Sequence, residues 1–237
     1  MGITSATPHK PGKAQNGAAG RAKGGNRSGA EAPRSGRQRQ VTASTGAQRE
    51  RILQAAAGLF ARQGYANTTM AQIVRELGVT KPFVYYYFQD KQEIFETLSW
   101  RPTVDCFTAL DFAATDPRPA AAKVIAGLEA LIRATIAHYP VAFFPYREPQ
   151  VYRPEYLAAS RKLALHFYDL LCPLLEQGRR DGALDFEETK ITALAACSLP
   201  GFLYSWYRPD GRLSPDEVVT QLTRLAARVI GLRTPAP

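Results

Sequence analysis

The chain has 237 residues, 45 % of them apolar, and a formal net charge of +9. That length suits one compact unit or two small ones with real cores; no apolar run approaches the ~20 residues that span a bilayer, and the N-terminus lacks the apolar stretch of a signal peptide, so no membrane partner is expected. The three cysteines, Cys106, Cys172 and Cys197, form no CxxC pair and suggest no disulfide framework, which places the protein in a reducing cytoplasm.

Most of the charge lies at one end. Residues 1–45 hold eight bases against Glu31, a net +7 that leaves +2 for the rest. The segment is rich in Gly, Ala, Ser and Pro and cannot bury enough surface to offset its ordering entropy. It reads as a disordered basic tail. Such an arm can add salt-dependent, sequence-independent affinity for DNA, or be an extension without a role; composition does not separate the two.

Ala47 to Gln63 is the first helix, with Ile52, Ala55, Ala56, Leu59 and Phe60 on one stripe and Gly64 at its end. Arg49 and Arg51 lie off the stripe, as phosphate partners or as a solvated face. In the stretch 68–91, TTMAQIVRELGVTKPFVYYYFQDK, two short helical patterns flank a glycine. Thr68 or Thr69 can cap a helix whose apolar side is Met70, Ile73, Val74 and Leu77. Gly78 follows, where a helix end often needs φ > 0. Thr80 can cap a second helix with Lys81 and Pro82 in its first turn, where proline is tolerated. Val84 and Phe88 share its inner face; Tyr85, Tyr86 and Tyr87 crowd around them. Two helices about a tight turn make a helix-turn-helix, whose second helix enters the major groove. A plain helical hairpin in a core is the alternative, but it has little use for so many phenols beside a lysine.

The run from about Gly46 to Thr97 resembles the DNA-binding domain of the TetR (tetracycline-repressor-like) family. The matching residues are Ile52, Ala55, Ala56, Leu59, Phe60, Gly64, Tyr65, Thr68-Thr69, Ile73, Gly78-Val79, Val84-Tyr85-Tyr86-Tyr87-Phe88 and Lys91; Val74 departs from a more usual alanine. The resemblance implies an all-α fold: a helix-turn-helix domain over residues 46–92 and a helical regulatory and dimerisation domain over 93–233. Thr69, Tyr85, Tyr86 and Tyr87 are the candidates for the phosphate backbone. Lys81 and Phe83 are candidates for base edges, Lys81 toward guanine and Phe83 toward a thymine methyl. In the family a lysine at Lys91 contacts phosphate.

Lys91 opens a fourth helix through Ile94, Phe95 and Leu98. Pro102 is expected to kink or interrupt it before the pattern resumes at Val104, Phe107, Leu110 and Phe112. In the family this connecting helix carries the ligand-driven movement. Ala120 to Tyr139 is helical on Val124, Leu128, Leu131, Ile132, Thr135 and Ile136. The stretch VAFFPYREP follows, too broken for one helix and rich enough in rings to wall a pocket. Phe107, Phe143, Phe144, Tyr146, Arg147, Phe167 and Trp206 are the ligand-binding candidates, with Arg153 beside Arg147 as a possible polar group; core packing and surface arginines are the plainer alternatives. Pro154 starts a long helix containing Pro173, which should bend it. Asp185 reads as the N-cap of the next helix, which carries Ile191, Leu194, Ala195 and Ser198 up to a Pro200-Gly201 break. Ser214-Pro215-Asp216-Glu217 is a capping box. It opens a last helix on Val218, Val219, Leu222, Leu225, Ala226, Val229 and Ile230. The final two helices resemble the pair that builds a four-helix dimer interface in TetR relatives.

Ser205-Trp206-Tyr207-Arg208-Pro209-Asp210-Gly211 resembles a subgroup whose members often respond to acyl-CoA thioesters. An enzyme is the rival class. His166, Asp169 and Cys172 follow each other at three-residue steps on one helix, but no nucleophile signature surrounds them, and no metal or cofactor motif is present. The expected protein is therefore no enzyme. It is a homodimeric regulator, a repressor on a palindromic double-stranded operator, released by a small molecule; regulation without a small-molecule input is the alternative.

Overall fold

A computed structural model describes residues 35–233, with side chains from residue 45 onward. The expected tail therefore falls, over residues 1–34, outside the described residues. The chain divides into two units, Met1–Val41 and Thr42–Pro237. Helix α1 runs Ser35–Gln63, so it starts well ahead of Ala47 and replaces the last part of the expected tail. Arg37, Gln38, Arg39 and Gln40 are good helix formers, and each residue added to an existing nucleus gains a hydrogen bond without needing an apolar stripe.

Three further helices follow closely: α2 Met70–Leu77, α3 Lys81–Tyr87 and α4 Lys91–Phe107. They close one core with Ile52, Phe60, Ile73, Val84, Phe88, Ile94 and Phe95 at its centre. Helix α4 continues through Pro102 without interruption and ends at Phe107, capped by Thr108, so Leu110 and Phe112 lie beyond it. Proline removes one N–H from the ladder. Burial of Pro102 itself, with Ser99 and Thr103 beside it, holds the helix together at that point.

The rest is α5 Ala120–Ala137, α6 Phe144–Arg147, α7 Pro154–Arg180, α8 Thr189–Ser198, α9 Leu203–Trp206 and α10 Pro215–Val229, with short 3-10 turns at Val141–Phe143, Pro149–Val151 and Pro200–Phe202. No strand occurs among the described residues. Helix α5 is central, packed against α4, α7 and α10, and its predicted stripe from Val124 to Ile136 is buried. Gly127 admits Leu110 so closely that a Cβ would stand 2.1 Å from its methyl. Helix α7 continues through Pro173.

Helix α8 corrects an expected cap. Its N-cap is Glu188, whose carboxylate accepts from the Ile191 N–H. Asp185 instead receives Arg233 on its side chain at 2.9 Å and donates its own N–H to the Gly231 carbonyl at 3.0 Å. The predicted box at α10 is present, with Ser214 N–H donating to Glu217 at 2.7 Å and Glu217 N–H to Ser214 Oγ at 3.3 Å. No helix among the described residues is long and apolar enough to cross a membrane.

Candidate nucleic-acid interface

The turn between α2 and α3 is built from local chemistry. Thr69 accepts the Gln72 N–H at 3.2 Å while the Gln72 side chain accepts the Thr69 N–H at 2.7 Å, a capping box that fixes the start of α2. Thr68 turns inward and donates to the Gly64 carbonyl at 2.8 Å. Gly78 adopts φ 64°, ψ 31° and its N–H returns to Arg75 and Val74, the left-handed end that a Cβ would strain. Thr80 occupies the N-cap position of α3, as expected, but without a side-chain cap bond.

Val84 and Phe88 anchor α3 in the core, fully buried. Their spacing turns the opposite side of the helix outward. Lys81 is exposed, Tyr85 is 41 % exposed and Tyr86 78 %. Lys81 Nζ stands 5.5 Å from the centre of the Tyr85 ring. Tyr87 is half-buried and joins a ring ladder, 5.3 Å from Phe83 and 5.0 Å from Tyr86. Phe83 is half-buried as well. The outward set is thus one lysine and two phenols, steadied by two rings that lean on the core.

Other bases near this face are engaged. Lys91 Nζ donates to the Tyr65 carbonyl at 2.7 Å and sits 3.9 Å over the Tyr65 ring. Burial lowers its pKa, opposed by Glu148. Arg49 packs over Phe88 at 4.7 Å and donates to Thr97 at 3.3 Å. Arg62 pairs with Glu76 at 3.0 Å, bracing α1 against α2. Gln72 was not among the predicted residues, although Thr-x-x-Gln is a readable capping signal.

The predicted ligand-binding residues are not gathered into one place. Phe107 and Phe167 meet at 6.2 Å in the core around α5 and α7. Phe143 belongs to a separate cluster with Leu203 and Tyr207. Phe144 joins the core of the helix-turn-helix. Trp206 is 52 % exposed. Arg147 is exposed and donates to the Tyr204 carbonyl at 3.3 Å. Arg153 is occupied by Asp90 and Glu96.

Tyr146 stands apart from these. Its ring is accessible, stacks on Tyr204 at 6.1 Å and lies over Gly201, whose Cβ position is 3.6 Å away. Its phenol is raised in pKa, first by burial and then by Cys106 and Cys197. Cys106 is 3.6 Å from the Thr135 hydroxyl, and burial pushes the Cys197 thiol up to about 12 with Cys172 beside it. Cys172 is among the groups that act on Cys197, so these two thiols lie near each other, and burial raises the pKa of all three. His166 pairs with Asp111 at 3.1 Å, from beyond the end of α4, and not with Asp169 on its own helix.

A family model described as bacterial regulatory proteins of the tetR family matches residues 52–98. A second, the tetracyclin repressor-like C-terminal domain, matches residues 117–230. The transcriptional repressor KstR2 of Rhodococcus jostii is 26 % identical over 215 residues, covering 82 % of this chain and 95 % of that one. The crystal structure of the TetR-family regulator PfmR from Thermus thermophilus is 25 % identical with a TM-score of 0.67, over 77 % and 99 % of the two chains. A structure of AibR in complex with isovaleryl coenzyme A and operator DNA shares the fold at 17 % identity and TM-score 0.64, over 78 % and 100 %. With a helix-turn-helix region matched over residues 52–98 and a helical body matched over 117–230, this chain belongs to the TetR family of DNA-binding transcriptional regulators, which are not enzymes.

Proposed function

We propose that the protein is a homodimeric repressor that reads a palindromic operator through α3 and is released by a small molecule. One observation carries the DNA assignment: Lys81, Tyr85 and Tyr86 stand outward on a helix whose other side is locked by Val84 and Phe88. Lysine and tyrosine suit phosphate oxygens and base edges. Thr69, Phe83 and Tyr87 are supporting members of that surface, the first at a helix start where backbone N–H groups favour anions; Lys91 joins it by turning from the Tyr65 carbonyl to a phosphate. Residues 46–92 act as the head and 93–233 as the regulatory body.

Dimerisation is assigned to the outer faces of α8 and α10. Ile191 and Leu194 are 68 % and 47 % exposed, Leu225 and Val229 44 % and 37 %, and the exposed Ala195 and Ser198 between them allow close approach. Two heads would then meet half-sites about 34–36 Å apart or a multiple of it.

The effector is assigned to the neighbourhood of Tyr146, whose accessible ring stacks on Tyr204. The acyl-CoA class is favoured by the Trp206-Tyr207-Arg208-Pro209-Asp210-Gly211 resemblance, and AibR, a relative in fold, takes isovaleryl coenzyme A. Regulation without a small molecule is the second possibility, favoured by the dispersal of the other predicted ligand residues. Mass spectrometry of denatured protein for a co-purifying ligand separates the two.

The decisive experiment uses a DNA fragment selected in vitro on the wild-type protein. Replacing Lys81, Tyr85 and Tyr86 together by alanine abolishes binding by fluorescence anisotropy while light scattering still reports a dimer. Wild-type affinity in the triple variant would refute the assignment of α3.

A further inference from the structure

Residues 144–156 lie far from the head in sequence, yet their side chains face it. Phe144 lies flat on Phe95, with centroids 4.8 Å apart and planes 8° apart, and meets Phe60 edge-on at 6.1 Å. The Tyr152 hydroxyl is 2.8 Å from Ser99 Oγ, and the Tyr156 hydroxyl 2.9 Å from Thr103 Oγ1. Gln92 donates to the Val151 carbonyl at 2.5 Å. Phenol and amide partners thus run along one side of α4.

Arg153 fastens this seam. Its backbone N–H and its Nη1 donate to the two oxygens of Glu96 at 2.6 and 2.9 Å, and its Nη2 donates to Asp90 at 2.6 Å. Asp90 is also the N-cap of α4, accepting the Glu93 N–H at 2.7 Å. A single planar fork therefore spans the first turns of the connecting helix, the geometry for which arginine is suited and lysine is not. At the other end of the segment, Tyr146 and Arg147 touch Tyr204 near the break after α8.

We propose that residues 144–156 are a strut that sets the angle of the head against the body, with Arg153 as its positioning residue. The proposal rests on α3 being the DNA-contacting helix and needs no particular effector. Arg153 is partly exposed, 35 % by its side chain, so solvent screens its contribution to overall stability. Its effect is on orientation. A head released from the fork samples more angles, and apparent affinity falls with the fraction of heads correctly set. Because the strut runs from Tyr146 to the head core, a ligand held at Tyr146 can act on the head without going through α4 alone.

The test uses the full chain and the DNA fragment selected on the wild-type. Arg153→Glu places like charges at the fork; operator affinity falls by about tenfold or more, and amide exchange quickens over residues 91–99, while circular dichroism and dimer mass are retained. The exchanged pair Arg153→Glu/Glu96→Arg recovers part of both losses; recovery is incomplete because the new carboxylate at 153 still faces Asp90 and the residue-153 N–H has lost its acceptor. Wild-type affinity in Arg153→Glu, or equal loss in the exchanged pair, overturns the proposal. Should Arg153→Glu fail to fold, Arg153→Met takes its place, with wild-type affinity again the overturning result. If the Lys81, Tyr85 and Tyr86 triple variant also binds like wild-type, the fault lies with the assignment of α3.

Discussion

Phe144 offers the sharpest test of how the head is closed. Its sequence neighbourhood, between prolines and other rings, marks it for a pocket wall, whereas it is 3 % exposed and sandwiched in the head core. The two placements differ in energy. Truncating a buried phenylalanine to alanine removes its transfer energy and leaves a cavity, at about 3–5 kcal/mol; the stacked Phe95 and edge-on Phe60 lose their partner together. In a chain of this size each kcal/mol lowers Tm by about 2–4 °C, so Phe144→Ala should fall by about 6–20 °C. Phe144→Leu keeps most of the apolar volume and should recover most of that loss. Differential scanning calorimetry on the three proteins measures this directly. A decrease in Phe144→Ala of less than about 3 °C would refute the core placement, because a ring lining an open recess can be trimmed at little cost.

Thr69→Ala removes the capping box of α2 and should lower stability by about 1 kcal/mol in chemical denaturation, with a weaker hold on the selected operator; no change in either would show that Gln72 suffices. Leu194→Glu with Val229→Glu places charges on the proposed dimer face, and light scattering should report monomers; an unaltered dimer mass would move the interface elsewhere. The raised pKa of Cys197, about 12, means that its neutral form is favoured in the fold. At pH 8 the native protein should hold about a thousandfold less thiolate at this site than an ordinary cysteine of pKa about 8.5. Iodoacetamide labelling followed by mass spectrometry should therefore be slow in the native protein, rise as pH climbs toward that value, and become ordinary in denaturant. Equal rates in native and denatured protein would rule out the buried, protonated thiol.

What was legible in the sequence was chemistry acting within one or two turns. Gly78, the Ser214–Glu217 box and the Val84–Phe88 anchor all follow from spacing, because caps and helix faces are set by residues three or four apart. Asp185 shows the limit of the same reasoning: Glu188, three residues on, caps the helix, and Asp185 is drawn away by Arg233, forty-eight residues on. Long-range partners left no local trace. Nothing near Arg153 announces Asp90 or Glu96, and nothing near His166 announces Asp111. Lys91 reads as an outward base, yet the ring and carbonyl of Tyr65 hold its ammonium. Periodicity marks apolar positions in α8 and α10 but does not say which face meets the subunit's own core. Ala193 and Ala196 do; Ile191 and Leu194 do not.

The membership of Phe144 and Tyr152 in the head core bears on attempts to build hybrid regulators. Cutting after residue 92 and grafting the first part onto a foreign sensor would strip Phe95, Phe144 and Tyr152 from the interior of the graft and leave Phe60 facing whatever the new host supplies. A workable exchange must transplant the discontinuous patch as well, or choose a recipient that presents equivalent aromatics at the joint. The unit of modularity here is a surface assembled from two distant stretches of chain, and not a contiguous cassette.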